Sequence, residues 1–182
     1  MERSWIETQR SIQIGDINGI NMITHNISRD TARKWNTPLD PDKHCWISIG
    51  EPSTPTFKIN CNVSNPILNS VNHLKIDFWD ITTPTENQYG NGEMVYPATE
   101  EDARKIVEFL HENKGKVVIN QCRAGISRSG AISRFCHEYL GYEWDKDSIK
   151  RAVPNDHIFW LLVKAHNVPK PTKIIDKRRI TL

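Results

Sequence analysis

The sequence is short of several things at once, and each shortage removes a class of protein. Its four cysteines, Cys45, Cys61, Cys122 and Cys136, lie far apart with no C-x-x-C pair. That spacing writes no disulfide framework and leads us to expect free thiols in a reducing, cytoplasmic setting. No apolar run approaches the eighteen or so residues of a membrane span. The opening residues lack the charged, apolar, small-residue order of a signal peptide. No membrane partner is therefore expected. Charge of one sign is not in excess either: 24 Lys and Arg stand against 22 Asp and Glu, a formal net charge of +2. Bulk electrostatics of that size does not make a nucleic-acid binder, and no nucleic-acid partner is expected. The seven histidines form no H-x3-H pair, so no metal and no cofactor are expected. No internal repeat is visible.

What is present fits a globular α/β protein. A chain of 182 residues, 37% hydrophobic and 25% charged, is long enough for one domain with its own core. Residues 1–19 show no sustained periodicity and read as an arm or first strand, and the Lys- and Arg-rich residues 169–182 read as a basic tail. Between them, short apolar runs at Ile20–Thr24, Cys45–Ile49 and Val117–Asn120 suggest strands, with another short one at Phe57–Ile59. From Leu74 the residues alternate, with Leu74, Ile76 and Phe78 on one face and Lys75, Asp77 and Trp79 on the other, which predicts a strand ending at Asp80. A long polar loop, Ile81 to Ala98, follows, of a length more often functional than idle. Helical patterns cover Ser28–Trp35, the stretch after Thr99, Ala131–Leu140, Asp147–Ala152 and Asp156–His166. Thr99 is the expected N-cap of the second, with Glu100, Glu101 and Asp102 where the helix dipole favours acid. Ala103, Ile106, Val107 and Leu110 form its buried stripe. Tyr139 and Leu140 are expected to be buried on the third helix, and Leu161 and Ala165 on the last. Trp46, Trp79, Trp144 and Trp160 are expected in the core or a groove. Cys136, Cys45 and Cys61 are read as structural thiols. Strands separated by helices predict a single domain whose central, mixed but mostly parallel sheet is flanked by helices, with sites outside the carboxyl ends of the strands.

Cys122 stands at such an end. The stretch Cys122-Arg123-Ala124-Gly125-Ile126-Ser127-Arg128-Ser129-Gly130 places a cysteine and an arginine on a tight loop between an apolar strand and an amphipathic helix. The spacing alone is weak evidence; the strand–loop–helix context raises it. Such a loop turns backbone N–H groups toward one point, where the helix N-terminus adds positive potential. The same donors favour thiolate at the loop's base, and the planar fork of Arg128 suits two phosphate oxygens at once.

This loop resembles the phosphate-binding loop of cysteine-dependent protein tyrosine phosphatases, and most closely the compact dual-specificity branch. With the strand Leu74–Asp80 and the helix from Thr99, the resemblance covers roughly residues 20–168 as a catalytic domain. It implies a central sheet flanked by helices, a cysteinyl-phosphate intermediate and no metal. It also implies roles: Cys122 as nucleophile, Arg128 as phosphate and transition-state clamp, and Ser129 as the hydroxyl beside the sulfur. Arg123, Ala124, Gly125, Ile126 and Ser127 would complete the phosphate-binding loop. Asp80 would be the general acid that later serves as base, a role its position before a long loop independently favours, with Asp77 in reserve. Two departures stand out. Gln121 occupies the place where the family usually has a histidine, and Asp80 and Cys122 are 42 positions apart, longer than in the most compact members.

The resulting expectation is a monomeric phosphatase acting on phosphotyrosine in a phosphorylated protein or small phosphate ester, with action on phosphoserine or phosphothreonine left open. A phosphoinositide or the 5′ end of RNA is the alternative substrate, against which the single basic residue between Cys122 and Arg128 counts modestly. Sulfur transfer is disfavoured by the loop length. A phosphate-binding adaptor with weak or no catalysis is the remaining alternative, kept open by Gln121.

Overall fold

The computed structural model describes residues 22–52, 65–87 and 92–168. The arm, the suggested strand at Phe57–Ile59, Cys61, Gly90 and the basic tail lie outside them.

The elements run in order as strand β1 (Ile23–Ser28), helix α1 (Arg29–Arg33), strand β2 (His44–Gly50), a 3₁₀ turn at Pro66–Ser70, strand β3 (Asn72–Asp77), the short strands β4 (Thr85–Glu86) and β5 (Met94–Val95), helix α2 (Glu100–Glu112), strand β6 (Val117–Cys122), helix α3 (Arg128–Leu140), strand β7 (Glu143–Trp144), and helices α4 (Lys146–Ile149) and α5 (Asp156–Asn167). Five strands make one sheet in the order β3-β2-β6-β1-β7, and every pairing in it is parallel. Parallel strands are covered on both faces, which is why β2 and β6 are buried along their whole length.

Alternation along the strands sorts the core into two layers. Cys45, Ile47 and Ile49 of β2, with Val118 and Cys122 of β6, pack beneath α2, α3 and α5. Trp46, Val117 and Ile119 pack on the opposite face with Ala32, Trp35, Leu39, Leu68 and Val71. The period of two puts Cys122 under the helices and its neighbour Gln121 on the other side. Helix α2 starts where the sequence places its cap. Thr99 Oγ1 accepts from the Asp102 N–H at 3.2 Å, and Asp102 Oδ2 accepts from the Thr99 N–H at 2.8 Å. A reciprocal cap of this kind is worth about 1 kcal/mol. The stripe Ala103, Ile106, Val107 and Leu110 is buried as expected.

Several expectations shift. Strand β3 ends at Asp77, not Asp80, because the ladder runs out at Gly50: the Phe78 N–H still donates to Gly50 O at 3.2 Å, but Phe78 O is taken by the Arg128 side chain at 2.8 Å. The excursion Ile81–Ala98 is not all irregular, since β4 and β5 pair antiparallel within it. Tyr139 is exposed, stacked on Phe135 at the protein surface. Leu161 and Ala165 are only partly buried, and Phe159 and Val163 take the inward positions of α5. Trp160 is 58% exposed, whereas Trp46 and Trp144 are core residues. No helix among the described residues is long and apolar enough to cross a membrane.

Candidate active site

Residues 123–127 form a loop that joins β6, in the middle of the sheet, to α3. Four of its five carbonyls are drawn outward. The Arg29 N–H donates to Arg123 O at 3.2 Å, the Val153 N–H to Ile126 O at 3.2 Å, and the N–H groups of Ala131 and Asn155 to Ser127 O at 2.8 and 3.3 Å. Asn26 Nδ2 donates to Gly125 O at 2.7 Å. A trans peptide points its N–H opposite to its carbonyl, so outward carbonyls turn the N–H groups of Ala124, Ile126, Ser127 and Arg128 to the inner side. Successive N–H groups on one side make an anion cradle.

Gly125 makes the turn possible. Its φ is +72°, and a Cβ built there would lie 2.4 Å from Ile27 C and 2.5 Å from Ser28 N. Only a residue without a side chain fits against β1 at that point.

Helix α3 begins at this cradle without the usual side-chain cap: the N-cap residue Ser127 makes no capping bond, and its hydroxyl goes instead to Asp80 Oδ1 at 2.8 Å. The first N–H groups of a thirteen-residue helix are thus left for another partner.

Cys122 sits at the base, 2% exposed. Its sulfur accepts from the Gly125 N–H at 3.3 Å and lies 3.1 Å from Ser129 Oγ. Arg128, also 2% exposed, is held in a specific orientation. Nη1 donates to Gly50 O at 2.9 Å and Phe78 O at 2.8 Å, and Nη2 donates to Glu51 Oε1. A guanidinium has five N–H donors. What remains is Nε–H and one Nη2–H, which lie along the same edge of the fork. Nε has no hydrogen-bond partner among the described residues, although it is buried. A bidentate donor edge is therefore left open for an anion.

Asp80 stands across the loop with Oδ2 3.9 Å from Arg128 Nε. The structure thus brings together Cys122, Arg123 to Ser127, Arg128, Ser129 and Asp80. Asp77 stands near Arg128, Arg29 and Glu51, where partial burial and the Glu51 carboxylate push its carboxyl above the usual range, against the pull of Arg128 and Arg29.

Three residues of the site carry no sequence signal that would mark them. Glu51 is a buried carboxylate between Arg128 and Arg29, whose Nη2 is 2.7 Å from Glu51 Oε2. Asn26 holds the loop carbonyl while its own Oδ1 accepts from Trp144 Nε1 at 2.8 Å. Asn155 Nδ2 donates to Asp80 Oδ1 at 3.0 Å. Asn155 caps α5 in the structure, and nothing local connects it to Asp80, 75 residues away. Gln121 is buried on the opposite face from the sulfur, and its amide finds no partner among the described residues. The order of the loop rests on Asn26 and Arg29 instead.

The other thiols differ in kind. Burial pushes Cys45 up to about 12 and Cys136 higher still, which keeps both protonated and unreactive. A groove of about 240 Å³ between α2 and α5, lined by Val107, His111, Leu161 and Val168 among others, does not include Cys122.

No family model and no curated protein matches the chain. Among solved structures it is similar to one described as "Crystal structure of Tk-PTP in the active form", at a TM-score of 0.41 and 14% identity over 80% of this chain and 91% of that one. A likeness at this level leaves the reading of the site to its own geometry.

Proposed function

We propose that this chain is a phosphatase that hydrolyses phosphate monoesters, phosphotyrosine in particular, through a cysteinyl-phosphate intermediate. One observation supports it above the others. A cysteine sulfur, an uncapped helix N-terminus and the unpartnered Nε edge of a buried arginine converge on one cradle, with a carboxyl across from them. Each part suits a stage of phosphoryl transfer. The N–H groups and the Arg128 edge bind the three non-bridging oxygens and follow their charge into the transition state. The Cys122 thiolate attacks phosphorus, the P–O bond to the leaving group breaks, and Asp80 gives its proton to the departing oxygen. Water then attacks phosphorus, forming the new P–O bond as the S–P bond breaks, and passes a proton back to Asp80. Phosphate leaves, and the sulfur departs as thiolate with the Ser129 hydroxyl as its hydrogen-bond donor.

The rim supports an aryl ester. Ile126, a residue of the loop, is 37% exposed, and Val153, whose N–H donates to Ile126 O, is 70% exposed; exposed apolar side chains on and next to the loop suit a substrate that carries a ring on its phosphate.

The test is hydrolysis of an aryl phosphate with chelator present. Wild type is expected to turn the ester over and Cys122→Ser to be inactive, since a serine hydroxyl is not ionised near neutral pH. Full activity in Cys122→Ser would overturn the reading.

A further inference from the structure

Asp80 is gripped by one oxygen only. Ser127 Oγ and Asn155 Nδ2 both donate to Oδ1, at 2.8 and 3.0 Å. Oδ2 takes neither bond and faces the open edge of Arg128. An oxygen that already accepts two hydrogen bonds has its lone pairs committed, so a proton added to this carboxyl sits on the other one.

Asn155 is itself immobilised on every side. It is nearly buried, its N–H donates to Ser127 O at 3.3 Å, and its carbonyl accepts from the Phe159 N–H at 3.0 Å. Its Oδ1 caps α5 by accepting from the Ile158 N–H at 3.2 Å. Two residues on, His157 Nε2 lies 3.0 Å from Ala98 O. The first turn of α5 therefore fixes both ends of the excursion that starts at Asp80 and closes at Ala98, and ties it to the cradle through Ser127.

We infer that Asn155 is a positioning residue for the acid: by holding Oδ1 from the rigid start of α5, it presents the protonated Oδ2 to the leaving oxygen. This rests on the phosphatase reading above. In each cycle the O–H bond at Oδ2 breaks as the ester's P–O bond breaks, the proton goes to the departing oxygen, and the attacking water later returns one to the same carboxyl.

The experiment compares a poor leaving group, phenyl phosphate, with an activated one, p-nitrophenyl phosphate, in wild type, Asn155→Ser, Asn155→Asp, Asp80→Asn and the Asn155→Ser/Asp80→Asn double variant. Serine and aspartate both keep an oxygen to cap α5, and neither keeps the amide donor. A misplaced catalytic group costs up to about a hundredfold, so kcat on phenyl phosphate is expected to fall by about tenfold to a hundredfold in Asn155→Ser. KM should hold, and the loss on p-nitrophenyl phosphate should be far smaller. Asn155→Asp, which sets a second carboxylate against Oδ1, is expected to lose at least as much. The double variant is expected to be no slower than Asp80→Asn alone, because Asn155 acts through that carboxyl. Equal losses on the two esters, or additive losses in the double variant, would overturn the positioning role while leaving the phosphatase reading in place. If Asp80→Asn itself shows no contrast between esters, the acid assignment fails and the role of Asn155 fails with it.

Discussion

At the residue scale the site is a matter of counting donors. Arg128 uses three of its N–H groups on Gly50, Phe78 and Glu51, which fixes the fork and leaves one edge for substrate. Arg128→Lys keeps the charge but has neither the fork nor the reach to satisfy both backbone carbonyls. It is expected to lose most of kcat/KM in steady-state assays of aryl phosphate hydrolysis, and wild-type kinetics would show that the edge does not bind phosphate. Glu51→Ala removes the carboxylate from between two buried guanidinium groups. Taking one partner from a buried ion pair costs about 3–5 kcal/mol, so urea titration should show a loss of that order, together with lowered activity. The two aspartates separate cleanly. A general acid contributes about 10²- to 10⁴-fold, so Asp80→Asn should slow phosphotyrosine hydrolysis by that order while sparing activated esters. Asp77, whose charged form is disfavoured where it stands, should tolerate Asn with activity retained. The reverse result would place the acid at Asp77.

At the element scale the loop is shaped by what lies behind it. Gly125 packs its α-carbon on the backbone of Ile27 and Ser28. Gly125→Ala must either push β1 away or abandon a positive φ that side chains rarely adopt. It is expected to lose phosphate binding, measured by competitive inhibition with inorganic phosphate, and to melt at lower temperature. Retention of both would mean that the loop does not need this turn. Much of this element was legible beforehand. The strand, the loop and the helix after it follow from an apolar run, a glycine within a polar stretch and a 3.6-residue stripe, all local signals. Asp80 was legible as the polar residue before a long loop, although the strand stops three residues earlier because the Arg128 side chain captures Phe78 O in place of a neighbouring strand. Asn26, Glu51 and Asn155 were not legible. Each acts across 75 or more residues of sequence, and an Asn within a strand or at a helix cap, or a Glu just past a strand, looks the same in sequence whether it meets water or the Cys122 loop. Tyr139 and Trp160 misled for a related reason, since an aromatic at helical spacing marks a face without showing whether another element covers it.

At the scale of the whole molecule the sheet ties the site to stability. His73 on β3 is 2.9 Å from Ser48 Oγ, and burial, helped by Lys75, pulls its ring down to about 4 from the usual 6.5. The unfolded chain therefore takes up a proton at this residue before the folded one does, and stability falls as the pH drops from 6.5 toward 4. By the usual conversion this amounts to at most about 3 kcal/mol. Urea midpoints measured across that range should decline in wild type and decline less in His73→Gln. A parallel decline in both would assign the acid sensitivity to other groups.

The central claim is that Cys122 carries the phosphoryl group during turnover, and trapping that species tests it most directly. The enzyme is mixed with an aryl phosphate, quenched by denaturation during the reaction, digested and analysed by mass spectrometry. The expected result is a peptide containing Cys122 that has gained one phosphoryl group, absent when Cys122→Ser is treated in the same way. A phosphoryl group on any other residue, or turnover by wild type with Cys122 unmodified at every quench time, would contradict the account.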